Sequence, residues 1–218
     1  MQETRERELA IQTIGLRKVA VGMPALLGTN RQGEVISGIR ERFVSDAEIF
    51  VGKTDLAGDG QADLRAHGGV DKAVYCYASD HFPWWAQEHG YAGVEGEAPF
   101  GENLSTIGVV ETEVHIGDIW RWGDAVLQVS QPRWPCFKLA MMTHRLDMVK
   151  RFVDSGRSGW YLRVLEEGFA PVGGPITLVA RDPHDVSVHL AFAVRAGKDE
   201  SEQERVFSHP ALAAAWKR

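Results

Sequence analysis

Two thiols stand in different settings along this chain of 218 residues. Cys136 lies in Ser130-Gln131-Pro132-Arg133-Trp134-Pro135-Cys136-Phe137-Lys138, a loop that leaves a strand and is stiffened by two prolines. Pyrrolidine rings fix φ, so such a loop gives up little conformational freedom when it grips a ligand. Arg133 and Lys138 are near in sequence, and cations beside a thiol favour the thiolate, the form that binds soft metals or attacks electrophiles. Taken alone, the loop also fits an inert packed cysteine beside unrelated charges. Cys76 falls in the alternating run Ala73-Val74-Tyr75-Cys76-Tyr77, where a strand makes it a small buried hydrophobe.

Two further segments carry polar chemistry. In His67-Gly68-Gly69-Val70-Asp71-Lys72 the glycine pair lets backbone N–H groups approach an anion, and Lys72 can neutralise it. The segment matches neither a Walker A loop nor a dinucleotide fingerprint, and a plain turn before a strand explains it equally. In Phe100-Gly101-Glu102-Asn103-Leu104, Asn103 both donates and accepts hydrogen bonds at the start of a strand. Other chemistries lack their signatures. There is no His-Glu-x-x-His, no Cys/His pair at zinc spacing and no Gly-x-Ser-x-Gly elbow. His81 and His89 read as surface residues of a short helix, and Trp84-Trp85 as a core wedge.

Short strands and turns must position these groups. Strands are expected over Leu16–Met23, Val35–Ile39, Ala47–Val51 and Ala73–Tyr77, with a long loop from Lys53 to Gly69. A short helix capped by Ser79 or Asp80 should end at Gly90. Ile119–Trp122 and Ala125–Val129 flank Gly123-Asp124 as a hairpin does. One helix is expected over Leu139–Asp154 with Gly156 as its stop, then a strand over Ile176–Ala180. Val186–Ala196 should be a helix capped by Asp185, followed by a helical tail broken at Pro210. Many short strands with few helices point to a mainly β fold, a barrel or sandwich.

Composition bounds the function. The 24 Lys+Arg and 30 Asp+Glu give a formal charge of −6, which argues against nucleic acid as the partner. Two cysteines are too few for a disulfide scaffold, a four-Cys zinc site or a Cys-ligated iron–sulfur cluster. Met1–Gln12 is charged rather than apolar, and no run of 18 apolar residues occurs. These features lead to an expected cytoplasmic protein with no membrane partner.

In this order the segments resemble the MOSC-domain family, in its compact YiiM-type branch. The matching pieces are His67-Gly68-Gly69-Val70-Asp71-Lys72-Ala73, Phe100-Gly101-Glu102-Asn103-Leu104-Ser105, Ile116-Gly117-Asp118, and Gln131-Pro132-Arg133-x-Pro135-Cys136-x-Lys138-Leu139. The resemblance implies a mixed β-barrel over residues 16–182 and a short C-terminal helical extension over 183–218, shorter than the family's usual three helices. It implies the molybdenum cofactor, with Cys136 as sulfur ligand to the metal; Cys76 matches no family ligand. Arg133 and Lys72 would supply charge for the pterin phosphate or the oxo-molybdenum centre. His67, the Gly68 and Gly69 amides, Asn103 and Ser130 would hydrogen-bond the cofactor, and Asp71 would orient it or deliver a proton.

Enzymatic relatives, including the mitochondrial amidoxime-reducing component, reduce N-hydroxylated compounds. The resemblance therefore implies a reductase of hydroxylamines and N-hydroxylated purines such as 6-hydroxyaminopurine. Electrons would come from a separate flavin or iron–sulfur reductase, since this chain has neither a cluster set nor a dinucleotide motif. A non-catalytic carrier of the cofactor or its sulfur is the alternative, and a cysteine enzyme with Cys136 as nucleophile and His67 as base is a third reading.

Overall fold

The structure is a computed structural model and describes residues 13–62 and 68–217. In chain order the first elements are β1 (Thr13–Val21), β2 (Ala25–Asn30), β3 (Gly33–Ser37), β4 (Arg42–Phe43), β5 (Glu48–Val51), β6 (Val74–Ala78) and α1 (Phe82–His89). Next come β7 (Leu104–Ile107), β8 (Ile119–Trp122), β9 (Ala125–Pro132), α2 (Phe137–Thr143), α3 (Met148–Ser155) and β10 (Trp160–Glu166). The chain ends with β11 (Gly168–Pro171), β12 (Pro175–Ala180), α4 (Val188–Arg195) and α5 (Gln203–Phe207).

Neighbouring strands follow the order β12-β8-β9-β10-β6-β7-β1, and β1 pairs back onto β12 to close a seven-stranded barrel. The β6–β7 pair is parallel and the others are antiparallel, so the barrel is mixed. Closure leaves no open edge among these seven strands. The β2–β3 hairpin and the β5–β11 pair stand outside the ring.

Strand alternation divides the packing in two. Along β6, Val74 and Cys76 enter the barrel core with Leu104, Trp120, Leu127, Trp160 and Leu162. Tyr75 and Tyr77 point the other way, into a cluster of Trp85, Phe100, Leu139, Met142, Met148 and Phe152. The buried Trp85 indole donates to the Tyr77 hydroxyl at 2.6 Å, satisfying both polar tips. Residues after Asp182 share the barrel's apolar core through Val188, Phe192, Val206, Leu212 and Trp216. Among the described residues no helix is long and apolar enough to cross a membrane.

Several local expectations need correction. The single helix over Leu139–Asp154 is two, α2 and α3, broken at His144 with φ 53°. In one continuous helix Met148 and Phe152 would face away from Leu139 and Met142. The break lets all four pack on the Tyr77–Trp85 cluster. Ser187 rather than Asp185 caps α4, accepting the Leu190 N–H at 3.0 Å, while Asp185 pairs with His115 at 3.0 Å. A 3-10 turn over Ser79–His81 leads into α1, and Asp80 accepts from the Gly108 N–H instead of capping. His81 is not a surface residue: it pairs with buried Glu111 at 2.7 Å.

The start of β10 sets a tight steric demand. Gly159 has φ 63°, and a Cβ there would run into the Cys76 carbonyl and the Tyr75 ring. Gly159→Ala is therefore expected to cost about 2–4 kcal/mol, read as a lowered midpoint in urea unfolding.

Candidate functional site

A cleft of about 730 Å³, including its open mouth, lies beside the barrel. One wall comes from the loop between β9 and α2. Pro132 and Pro135 frame it, Arg133, Trp134 and Cys136 line the cleft, and Lys138 follows from the first turn of α2. Residues after Asp182 brace this loop: Trp134 packs 5.2 Å from Phe192 and 6.1 Å from Trp216, and the Ala213 N–H donates to the Ser130 carbonyl at 3.0 Å. Lys72, from the 3-10 turn before β6, faces the same cleft, as do Tyr75 of β6 and Tyr161 of β10.

Arg133 decides the character of the site. Only 5% of it is exposed, yet its Nη1 is buried without a hydrogen-bond partner. Its guanidinium lies 4.9 Å from the Tyr75 ring centre and 5.3 Å from that of Phe152, so cation–π contacts hold it in place. A buried guanidinium with an unused donor suits an anionic oxygen, which takes bidentate charge-assisted bonds. Burial lowers the pKa of the Lys72 ammonium; Asp71 works against that, Arg195 adds to it and Cys136 opposes it. The Lys138 ammonium donates to the Ile36 carbonyl at 3.1 Å.

The cleft lining also carries acids. Glu41 from the β3–β4 connection and Asp59 from the β5–β6 connection line the cleft with Asn103. The Asn103 amide donates to Glu41 at 3.0 Å and to Asp59 at 2.8 Å, and its Oδ1 accepts the Tyr75 N–H at 2.8 Å. Burial first, then the neighbouring Asp59 and Glu102 charges, push the Glu41 pKa up against the pull of Arg133. Burial also raises Asp59, against hydrogen bonds from Gly22, Gly60 and Asn103. Neighbouring Glu102, wholly buried, is pushed up to about 7 by burial, although Phe100 and Ser105 donate to it. Sequence reading assigned no role to Glu41 or Asp59, because only folding brings them to Asn103.

Thus Lys72, Asn103, Arg133 and Cys136 converge on one cleft. Asp71, Ser130, Gly68 and Gly69 do not line it. Asp71 pairs with Arg163 at 2.8 Å. The Ser130 hydroxyl lies within hydrogen-bond distance of the Asp71 and Tyr161 carbonyls. The Gly69 N–H donates to Gln61 at 2.8 Å. His67 lies outside the described residues. Cys76 is 1% exposed in the barrel core, where burial raises its thiol pKa.

A second polar group, Asp182, His184 and His209, lies where the last segment meets the barrel. The His209 Nδ1 accepts the Ala211 N–H at 3.1 Å, so its Nε2 carries the proton given to Asp182 at 3.1 Å. Ligation through Nε2 would break the bond to Asp182, and ligation through Nδ1 would displace the Ala211 N–H. In the structure the group is a clasp between segment and barrel.

The fold and cleft define a closed mixed β-barrel protein with a cysteine and a buried arginine lining one cleft. The family model of the MOSC domain matches residues 63–177. YiiM of Escherichia coli (strain K12) is 38% identical over 176 residues, covering 79% of this chain and 78% of that one. A protein named Reductase from Gibberella moniliformis is 38% identical over 151 residues, covering 68% of this chain but 27% of the relative. The crystal structure of YiiM from Geobacillus stearothermophilus superposes with a TM-score of 0.76 at 33% identity, covering 94% of this chain and 95% of that one. The chain belongs to the MOSC-domain family, in its YiiM-type branch.

Two outcomes follow from these settings. Iodoacetamide is expected to label the partly exposed Cys136 and spare Cys76 until the protein unfolds, as read by peptide mass mapping. Burial lowers the His209 pKa against the pull of Asp182, so on acidification the unfolded chain takes up that proton first. This share of stability is complete above about pH 6.5 and is lost as pH falls toward the folded value. Glu41, Asp59 and Glu102 slope the other way, so the readout is a difference. The acid loss of thermal midpoint should be shallower in His209→Gln than in the wild type.

Proposed function

We propose that this protein is a molybdenum cofactor-dependent reductase of N-hydroxylated compounds, hydroxylamines and N-hydroxylated purines among them. The observation that carries this reading is the buried Arg133 with its unused Nη1 in the same cleft as Cys136. A soft sulfur ligand beside a buried cation matches the chemistry of a sulfur-bound metal carried on a phosphorylated pterin. The MOSC family membership and the relative named Reductase support it.

The bound cofactor would supply a redox-active molybdenum centre able to take an oxygen from nitrogen. The residues of this chain would do the rest. The Cys136 thiolate would be the protein's ligand to the metal, presented by a loop that Pro132, Pro135 and the Trp134 packing hold in one shape. Arg133 would take the phosphate or another anionic oxygen, with Lys72 and Lys138 adding charge along the same wall. Asp71, held by Arg163, and Ser130, bonded to the Asp71 carbonyl, would position Lys72 from behind. In sequence, His67 and the Gly68–Gly69 pair directly precede the turn that carries Lys72. Electrons would be delivered at the cleft mouth by a separate flavin or iron–sulfur reductase, in the cytoplasm.

Protein purified from cells that make the cofactor is expected to contain molybdenum and to release a fluorescent oxidised pterin. Cys136→Ser should lose the metal and all turnover of hydroxylamine with dithionite-reduced viologen, while Cys76→Ser keeps both. Arg133→Lys, which removes the fork but keeps the charge, should lower pterin content several-fold. Absence of pterin and molybdenum from the wild type would overturn the proposal. Full occupancy without turnover of any N-hydroxylated compound would favour a cofactor carrier.

A further inference from the structure

We infer that Glu41 and Asp59, joined through the Asn103 amide, form the proton-donating wall of the cleft and serve the cleavage of an N–O bond there. The inference rests on the reductase reading and adds to it the groups that supply protons.

Geometry is its basis. Both carboxyl groups line the cleft that also holds Cys136 and Arg133. One Asn103 Nδ2 donates to both, at 3.0 and 2.8 Å, and to the Ala20 carbonyl at 3.3 Å. An amide nitrogen has two protons and here meets three acceptors. Two carboxylates sharing this donor repel each other, and a proton on one of them relieves the repulsion. Asp59 is further held by the Gly22 and Gly60 N–H groups, at 3.0 and 2.9 Å, which favour its charged form. Glu41 has one side-chain donor, Asn103, and is buried at 7% exposure, so the proton of the pair belongs mainly on Glu41. Among the charged groups around them, Glu102 and Asp55 favour protonation, while Arg133 opposes it. Lys72 and Lys138 line the same cleft.

The reaction has a matching need. Reducing R–NH–OH to R–NH2 and water breaks the N–O bond and consumes two electrons and two protons. One proton ends on nitrogen and one on the departing oxygen. A flavin or iron–sulfur reductase, or reduced viologen in vitro, supplies the electrons. The pair supplies protons and refills from solvent through the open mouth. Because the two carboxyls interact, they titrate as a unit.

Two measurements test this. Infrared spectra of cofactor-free protein at neutral pH should show, beside the contribution of Glu102, a protonated-carboxyl C=O band that shifts in D2O, is lost in Glu41→Gln and persists in Glu102→Gln. With cofactor loaded and viologen as reductant, Glu41→Gln should retain wild-type molybdenum content. Its turnover should fall by about 100-fold and lose the alkaline limb of the wild-type kcat profile. Asp59→Asn, which keeps the Asn103 contact region polar, should lower kcat less and shift that limb. Absence of a carboxyl band that depends on Glu41, or wild-type kcat in Glu41→Gln, overturns the inference and leaves the reductase reading standing. A loaded wild type that reduces no N-hydroxylated compound overturns both, and the band then remains as a property of the wall alone.

Discussion

One carboxamide ties barrel and cleft together. The Asn103 backbone N–H donates to the Tyr75 carbonyl at 2.9 Å while its side-chain oxygen accepts the Tyr75 N–H at 2.8 Å. This two-way grip aligns the start of β7 with β6, the one parallel pair of the barrel. The other end of the same amide holds Glu41 and Asp59, which come from two different connections. An apolar residue of the same size would leave the Tyr75 N–H unpaired and two buried carboxylates facing each other.

From that point the cleft acquires two chemically opposite walls. Arg133, Lys72 and Lys138 bring positive charge to the cleft that Cys136 lines, and Glu41 and Asp59 bring carboxyl groups to it. Tyr75 is the divider: its backbone bonds Asn103, its hydroxyl donates to the Ser158 carbonyl at 2.9 Å, and its ring carries the Arg133 guanidinium. A barrel strand thus fixes both walls through alternate features of one residue.

The last segment contributes more than its position in the chain suggests. Its Trp216 and Phe192 pack on Trp134, and Arg195 lies 4.8 Å from the Trp216 ring centre and 5.4 Å from that of Trp134. The cysteine loop is therefore braced from outside the barrel, with the Asp182–His209 clasp anchoring the brace at its far end. Rigid support of this kind keeps a ligand residue in one geometry.

Local sequence determined the features that depend on neighbours along the chain. The β8–β9 hairpin, the strand holding Cys76, the stop at Gly90 and the contrast between the two thiols all follow from short-range alternation, turn residues and prolines. The convergence of Lys72, Asn103, Arg133 and Cys136 was legible only as an ordered set of motifs. Tertiary structure decided the rest. The α2–α3 break answers to the Tyr77–Trp85 cluster, whose members lie far away in sequence. β10, with Arg163 in an otherwise apolar alternation, becomes a central strand because β6 and β9 flank it. Glu41 and Asp59 are ordinary acidic residues in their own segments. They become a site only when folding removes their water and sets one amide between them, since desolvation and long-range hydrogen bonds have no local signature.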